Sequence, residues 1–463
     1  MLSGQIVSKV SFLVTMLFLA RYLDDKSFGL LSFAVAVGMV YMFISEMGVS
    51  ITVNRLISLT NDGSSRALPS VASGLRILLS TTGLLLLAFL NWIFSRSLWE
   101  LAVLIPVALS YSLDGFSEIP FAVFRASGRA GRESLARSLG GLFSIAAVIL
   151  IIKADLGLLA AAAVFPLRSA VTMMVAAFLH LDTGFGLFPS FDRAAMLSLF
   201  RDSLPVGVMG LSLAAFQRVD NLLVRGVLGI EAVGAWNECV RIIDTMVLLI
   251  TPTLLPGALF PGLCRALEQG GEAAKQKMRD TGSFILAIGT AVTAFLLASG
   301  SGLLALLWGA GYERGLASDA VNRAYEITCA GIVPVFWMNF LVAALIAQRR
   351  SSTATRAAAA SLVVLLALLF LFLNPMGLPG AAAAMLAASL VFAVLLTIGI
   401  GRNTASGLVG SLLPALPGAC LAILAAVAMG RLGVPWLVKG LISGAVSAIS
   451  WLAIDGRKVL GRL

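Results

Sequence analysis

The chain has 463 residues, of which 59% are hydrophobic and only 12% charged. Soluble domains carry roughly 25% charged residues, so this composition excludes a soluble enzyme, a secreted domain and a disordered tail protein and requires an integral membrane protein. The net charge of +10 raises a nucleic-acid reading, which the placement of the charges along the chain removes.

Hydropathy and turn signals predict fourteen helical spans: 3–22, 28–54, 70–94, 98–124, 136–153, 156–180, 203–227, 231–262, 281–309, 322–346, 355–374, 377–401, 408–430 and 434–454. A span takes about 20 apolar residues, so fourteen leave only short loops. The opening run lacks a basic leader and a small-residue cleavage site, so it reads as the first span. With the N-terminus in the cytoplasm, cytoplasmic segments hold more than twice as many Lys and Arg as the opposite side. That is the positive-inside pattern with both termini cytoplasmic. The basic balance therefore reports topology, and no nucleic-acid partner is expected.

The longest linker, 181–202, contains FDRAAMLSLFRDSLP from Phe191. Met196, Leu197 and Phe200 predict an apolar face on a helix lying at the cytoplasmic surface. This divides the chain into an N-lobe (1–180, spans 1–6), a linker helix (181–202), a C-lobe (203–402, spans 7–12) and a last segment (403–463) with two peripheral spans. The halves are weakly alike. LARYLDDKSFG from Leu19 and LVRGVLGIEAVG from Leu223 each join the first and second span of a half, aligning Arg21 with Arg225 and, with one residue inserted, Gly29 with Gly234. Paired six-span repeats are a transporter pattern.

Ionisable residues inside spans cost at least about 2.5–3.5 kcal/mol and so face a cavity or a partner. Arg168 sits mid-span 6 with no carboxylate within four residues, so it needs an interhelix partner or an anionic ligand. In span 7, Arg218 and Arg225 are seven residues apart and share a face with Asn221. Asp220 lies about 200° from Arg218. Two guanidinium forks and an amide suit a phosphate or pyrophosphate, although Arg225 also has the option of snorkelling to the interface. In span 8, Asn237, Arg241 and Asp244 lie within about 60° of one another, with Glu238 beside Arg241. They read either as an internally compensated cluster or as a cation site. In span 4, Asp114, Glu118 and Arg125 share a face within about 40°. Two neighbouring carboxylates suit a coupling-ion site or mutual pairing with Arg125. Glu46 in span 2 is a further intramembrane carboxylate, and Arg21 stands near the outer end of span 1.

No nucleophile, catalytic loop or phosphate-binding glycine loop accompanies these groups, so no enzyme activity is expected. The four cysteines, Cys239, Cys264, Cys329 and Cys420, are scattered, and with His180 as the lone histidine they suggest no metal site. No cofactor is expected. Pro120 and Pro166, beside Glu118 and Arg168, predict bent helices around a cavity. GLISG from Gly440 predicts close helix packing.

Three stretches, LARYLDDKSFGLLSFAVAV, FRASGRAGRESLARSLGGLFS from Phe124 and DNLLVRGVLGIEAVGAWNECVRIID from Asp220, carry a resemblance over the whole length. The chain resembles the polysaccharide-transporter (Wzx-like) flippases of the multidrug/oligosaccharidyl-lipid/polysaccharide (MOP) superfamily. The resemblance implies an all-α membrane protein with two six-helix lobes around a cationic cavity and two peripheral helices. It implies a polyprenyl-pyrophosphate-linked oligosaccharide as substrate, flipped outward across a bacterial or archaeal plasma membrane for cell-surface polysaccharide such as O-antigen or exopolysaccharide. Membrane lipids, a coupling proton or sodium ion, and glycan polymerase or glycosyltransferases of the pathway are the partners that go with it. Arg168, Arg218 and Arg241 fit the cationic cavity, joined by Arg225, Asn221 and Arg21. Asp114, Glu118, Asp220, Glu238, Asp244 and Glu46 are its ion-coupling or charge-pairing groups. A cation-coupled drug exporter of the same superfamily is the alternative, and its cavity would be acidic or aromatic to meet a cation.

Overall fold

A computed structural model describes every residue except 1, 60–66, 95–96, 187, 255–262, 264–265, 268–269, 309–317, 349, 401–416, 418–420, 422–424, 426–428, 430–433, 457–458 and 460–463. The described residues are helical, with no strand among them. In order they form α1 (Leu2–Tyr22), α2 (Asp25–Glu46), α3 (Val49–Leu59), α4 (Leu68–Phe94), α5 (Leu98–Ala126), α6 (Ala130–Lys153), α7 (Gly157–His180) and α8 (Arg193–Leu228). There follow α9 (Ile230–Leu254), α10 (Gly271–Trp308), α11 (Ser318–Ala330), α12 (Ile332–Ala347), α13 (Ser351–Met376), α14 (Leu378–Ile400) and α15 (Trp436–Trp451). Twelve described stretches are long and apolar enough to cross a bilayer, and the chain is a multi-pass integral membrane protein. They coincide with twelve of the fourteen expected spans. Of the other two, 231–262 begins as α9, and 408–430 lies outside the described residues apart from isolated positions.

The chain divides into two compact units, Met1–Arg225 and Gly226–Leu463. In the first, α5 packs on α2 and α7, and α6 packs on α1 and α7. Small residues allow the close approaches: Gly141 lies against Ser11 of α1, and Gly140 against Thr172 of α7. In the second, α13 pairs with α14, and α10 pairs with α15. Gly440 and Gly444 of the GLISG run sit against Phe295, Ser299 and the Ala291 carbonyl of α10, as the sequence suggested.

Two expectations need correction. Residues 28–54 are not one helix. The span breaks at Met47 (φ 39°) and Gly48 (φ 77°), between α2 and α3. The Met47 N–H closes α2 by donating to the Phe43 carbonyl at 3.0 Å. Gly48 takes the left-handed conformation that side chains resist by about 1–2 kcal/mol. Its bare Cα also lets α8 approach, because a Cβ there would stand 2.8 Å from Gly207 N and from the Ser203 carbonyl. Gly48→Ala is therefore expected to lower thermal stability more than Gly128→Ala, which has φ 71° but open space around it. Equal losses in detergent melting curves would contradict the packing role.

The second correction concerns the linker. Residues 193–202 form no separate surface helix but run unbroken into span 7 as the 36-residue α8. The inward face is Met196, Leu199, Ser203 and Gly207, and Leu197 is exposed. Met196 and Leu199 pack with Val49 and Val53 of α3, Ala72 and Leu75 of α4, and Ile119 and Val123 of α5. The segment before α8 is held to the first unit too, since Ser190 N donates to the Ser70 carbonyl at 2.9 Å. Span 7 thus groups with spans 1–6 up to Arg225.

The two stretches aligned between the halves each close one helix and lead into the next. Leu23–Asp24 joins α1 to α2 and Gly229 joins α8 to α9, with Arg21 and Arg225 in the last turns of α1 and α8. Asp24 caps α2 by accepting from Ser27 N at 3.3 Å, and hydrogen bonding from Ser27, its hydroxyl first and then its backbone N–H, holds the carboxyl below the usual aspartate range. Tyr22 ties the α1 end to the α6–α7 turn. Its hydroxyl donates to Asp155 Oδ1 and accepts from Gly157 N, both at 2.8 Å.

Candidate functional site

The first unit concentrates its charges along α5. Glu100, Asp114, Glu118 and Arg125 are spaced 14, 4 and 7 residues apart, which at 100° per residue keeps all four within about 40° of one line. At 1.5 Å per residue, Glu100 to Glu118 covers about 27 Å, close to the roughly 30 Å of a hydrocarbon core. Each carboxylate meets arginine. Glu100, in the first turn of α5 beneath the Ser97 cap, pairs with Arg225 of α8. The Arg225 guanidinium also lies over the Phe33 ring of α2, 4.2 Å from its centroid. Asp114 pairs with Arg168 of α7, whose Nη2 donates as well to Ser169 Oγ at 3.2 Å. Glu118 accepts from Arg125 Nη2 at 2.8 Å and from Arg137 of α6. Arg137 Nε donates to Glu133 at 3.0 Å, and its guanidinium lies 4.6 Å from the Phe121 ring centroid.

These pairs are not sealed. The side chains of Glu100, Asp114 and Glu118 keep 22%, 30% and 25% of their exposure. Ionised groups within a membrane span face the bundle interior, a cavity or a partner, and here each carboxylate has an arginine partner while part of its surface stays uncovered by protein.

The structure therefore separates residues that spacing grouped. Asp114 and Glu118 share a face, yet they serve different arginines and form no isolated carboxylate pair. Arg168 has its partner on another helix. Arg225 does not simply snorkel, since it is held by Glu100 and Phe33. Arg21 is exposed at the end of α1.

Sequence reasoning missed Arg76. Arg76 lies inside α4 and is fully buried. Its Nη2 donates to Ser50 Oγ at 2.9 Å, with Glu46 Oε1 at 3.8 Å. Its guanidinium occupies the space a Cβ would fill at Gly115 of α5. Glu46 and Ser50 flank the α2–α3 break, so Arg76 braces that break from α4. Glu100, Glu133 and Arg137 were also missed, although the spacing of Glu100 from Asp114 and Glu118 would have placed it on the stripe.

The FRASGRAGRESLARSLGGLFS stretch forms a clamp joining α5, α6 and α7. Arg132 Nη2 donates to Asp182 Oδ2 at 2.6 Å, Arg132 Nη1 donates to the Leu179 carbonyl at 2.7 Å, and Arg129 Nη1 stands 3.6 Å from Asp182. The Phe124 ring lies tilted beside His180 and under Arg132. The Arg132 hydrogen bonds hold the exposed Asp182 carboxyl below the usual aspartate range. A depressed carboxyl contributes above its unfolded pKa and loses its contribution as pH falls through its folded one. The clamp thus stays ionised at any pH above about 4.

At the end of the first unit, Arg218, Asp220 and Asn221 are all buried in α8, and Asn221 Nδ2 donates to Asp220 Oδ1 at 3.0 Å. In the second unit, Asn237 and Arg241 are buried in α9, with Glu238 and Asp244 partly so. Arg241 Nη2 donates to Asn237 Oδ1 at 3.4 Å, and Asn237 Nδ2 donates to the Val233 carbonyl at 2.9 Å. Arg241 thus forms a local group with Asn237 on α9. Cys239 and Cys329 are fully buried, Cys264 and Cys420 lie outside the described residues, and burial pushes the two described thiols away from reactivity. No group of three or more His, Cys, Asp or Glu suited to a metal occurs among the described residues.

Solved structures share this fold. A multidrug resistance MATE family transporter of the MOP superfamily, inward-facing, superposes with a TM-score of 0.71 at 17% identity, covering 87% of this chain and 95% of that one. The lipid II flippase MurJ in an inward closed conformation gives 0.73 at 13% identity, covering 99% and 98%. A MOP superfamily transporter from Pyrococcus furiosus, noted for a binding pocket of reverse polarity, gives 0.60 at 16% identity, covering 88% and 94%. No curated protein matches the chain. The model of the polysaccharide biosynthesis protein family matches residues 1–267. With more than half its length matched, and with the α5 stripe and the clamp both inside the matched region, the chain belongs to the polysaccharide biosynthesis protein family.

Proposed function

We propose that the protein is a flippase that moves a polyprenyl-pyrophosphate-linked oligosaccharide from the cytoplasmic to the outer leaflet, for cell-surface polysaccharide assembly. The observation that carries this reading is the set of arginines inside spans: Arg168 on α7, Arg218 and Arg225 on α8, and Arg241 on α9. A guanidinium at membrane depth is costly, and its planar donor fork matches phosphate oxygens. Family membership and the fold shared with a lipid II flippase support the same substrate class.

In this reading the pyrophosphate docks on the first unit's arginines, Arg168, Arg218 and Arg225, the sugar occupies a polar cavity and the prenyl chain stays in lipid. Alternating access of two lobes delivers the head group outward, with both termini cytoplasmic. Partnering groups such as Asp220, Glu238 and Asp244 balance charge or carry the coupling ion.

The drug-exporter alternative draws support from the similarity to the multidrug transporter. Depletion of the protein separates the two. The flippase reading expects lipid-linked glycan to accumulate on the cytoplasmic leaflet while susceptibility to cationic drugs stays unchanged. Hypersensitivity to cationic drugs with normal surface glycan would overturn it.

A further inference from the structure

The arginines proposed to bind the substrate do not stand as bare cations. In the first unit, Arg225 is held by Glu100 and Arg168 by Asp114, and both carboxylates come from the same stripe of α5. We propose that Glu100 and Asp114 are built-in competitors of the substrate's pyrophosphate. They occupy its arginines when the site is empty and give way when the head group arrives. The inference rests on the flippase reading, gives Glu100 a role it lacked there and replaces general ion coupling or charge pairing by a specific role for Asp114.

Three observations carry it. First, the Arg168 pair is incomplete. A carboxylate can take a guanidinium in a two-pronged fork, yet Asp114 engages only Nη2, which it shares with Ser169, and the buried Nε of Arg168 has no hydrogen-bond partner. Because Nε is buried, it becomes available only as the Asp114 pair opens, and a pyrophosphate oxygen pair spanning Nη2 and Nε would then satisfy what Asp114 leaves open.

Second, these carboxylates are reachable. Asp114 keeps 30% of its side-chain exposure and Glu100 keeps 22%, so an anion approaching along the stripe meets the pair from the open side. The contrast is Glu133, fully buried between Arg125 and Arg137, which has no such opening.

Third, the arrangement solves a charge problem. An empty cavity with uncompensated arginines would be costly in a membrane, and an arginine too tightly satisfied could not bind substrate. A solvated, one-pronged internal carboxylate meets both demands. The rungs at Glu100 and Asp114 lie about 21 Å apart along α5, so one anionic head group could exchange with each in turn as it crosses.

The test measures binding of inorganic pyrophosphate to the full-length protein in nanodiscs. Asp114→Asn and Glu100→Gln are each expected to tighten binding by about fivefold to tenfold, because each removes a competitor, and Arg168→Ala and Arg225→Ala to weaken it. Removing a carboxylate also leaves its arginine unpaired, so each variant is expected to melt lower than wild type without ligand and to recover with saturating pyrophosphate. If the arginine variants weaken binding but the carboxylate variants bind equally or more weakly, or show no thermal rescue, the competitor role is overturned and the flippase reading stands. If the arginine variants bind pyrophosphate as well as wild type does, Arg168 and Arg225 are not the anion site and the competitor role falls with that assignment, while the flippase reading is tested separately by leaflet movement.

Discussion

Replacing Arg218 with alanine is expected to abolish glycan export while the protein still reaches the membrane at normal levels. Arg168→Ala is expected to do the same. Truncating one side of a buried charge contact costs about 2–5 kcal/mol; if that loss falls on the bound head group, export drops from about 30-fold to several-thousand-fold. The two variants differ in their side effects. Arg168→Ala strands Asp114 on the α5 stripe, so it also loses stability. Arg218 is buried in the same helix as the Asp220–Asn221 pair, and its loss removes a buried cation from the span. Lysine tests the geometry: it keeps the charge but loses the planar fork, so Arg168→Lys and Arg218→Lys are expected to export at intermediate rates. Export at wild-type rate in either alanine variant, with normal protein levels, would remove that residue from the site.

The second large effect belongs to Arg76 and concerns stability. This guanidinium is fully buried, with Ser50 at 2.9 Å and Glu46 at 3.8 Å on either side of the α2–α3 break. Breaking a buried pair by removing one partner costs about 3–5 kcal/mol, whereas replacing both partners with uncharged groups of similar size is often neutral. Arg76→Ala is therefore expected to melt far below wild type. Arg76→Met combined with Glu46→Gln is expected to recover most of the loss. The melting temperature in detergent checks both. A double variant no more stable than Arg76→Ala would show that Arg76 holds the break through contacts other than Glu46.

Much of the fold was legible because membrane spans announce themselves by hydropathy, and the structure places helices where they were expected. The places where the reading went astray share a cause: apolar composition does not report where a helix ends. Span 2 reads as continuous through Met47 and Gly48, since neither residue is polar, yet the backbone turns left-handed there to let α8 approach at Gly207. The linker reads as a surface helix because Met196, Leu197 and Phe200 look like a lipid-facing stripe. The face that is buried runs instead through Met196, Leu199 and Ser203, set by α3, α4 and α5.

In the site, helical spacing placed Asp114, Glu118 and Arg125 on one face, which is a property of one helix. It could not tell which arginine each carboxylate meets, because Arg168, Arg225 and Arg137 arrive from three other helices. Arg76 was lost for a related reason. Near a span end, a basic residue reads as a cytoplasmic-side cation, and only the neighbouring helices reveal that it is enclosed.

The central claim is that this protein carries a pyrophosphate-linked glycan between leaflets, and leaflet movement itself tests it most directly. The purified full-length protein would be placed in proteoliposomes with a polyprenyl-pyrophosphate oligosaccharide, with and without an imposed ion gradient. The account predicts movement of the head group that requires the protein and is lost in Arg168→Ala and Arg218→Ala. Folded protein that moves none of several such glycans under any gradient, while exporting a small cationic drug, would contradict it.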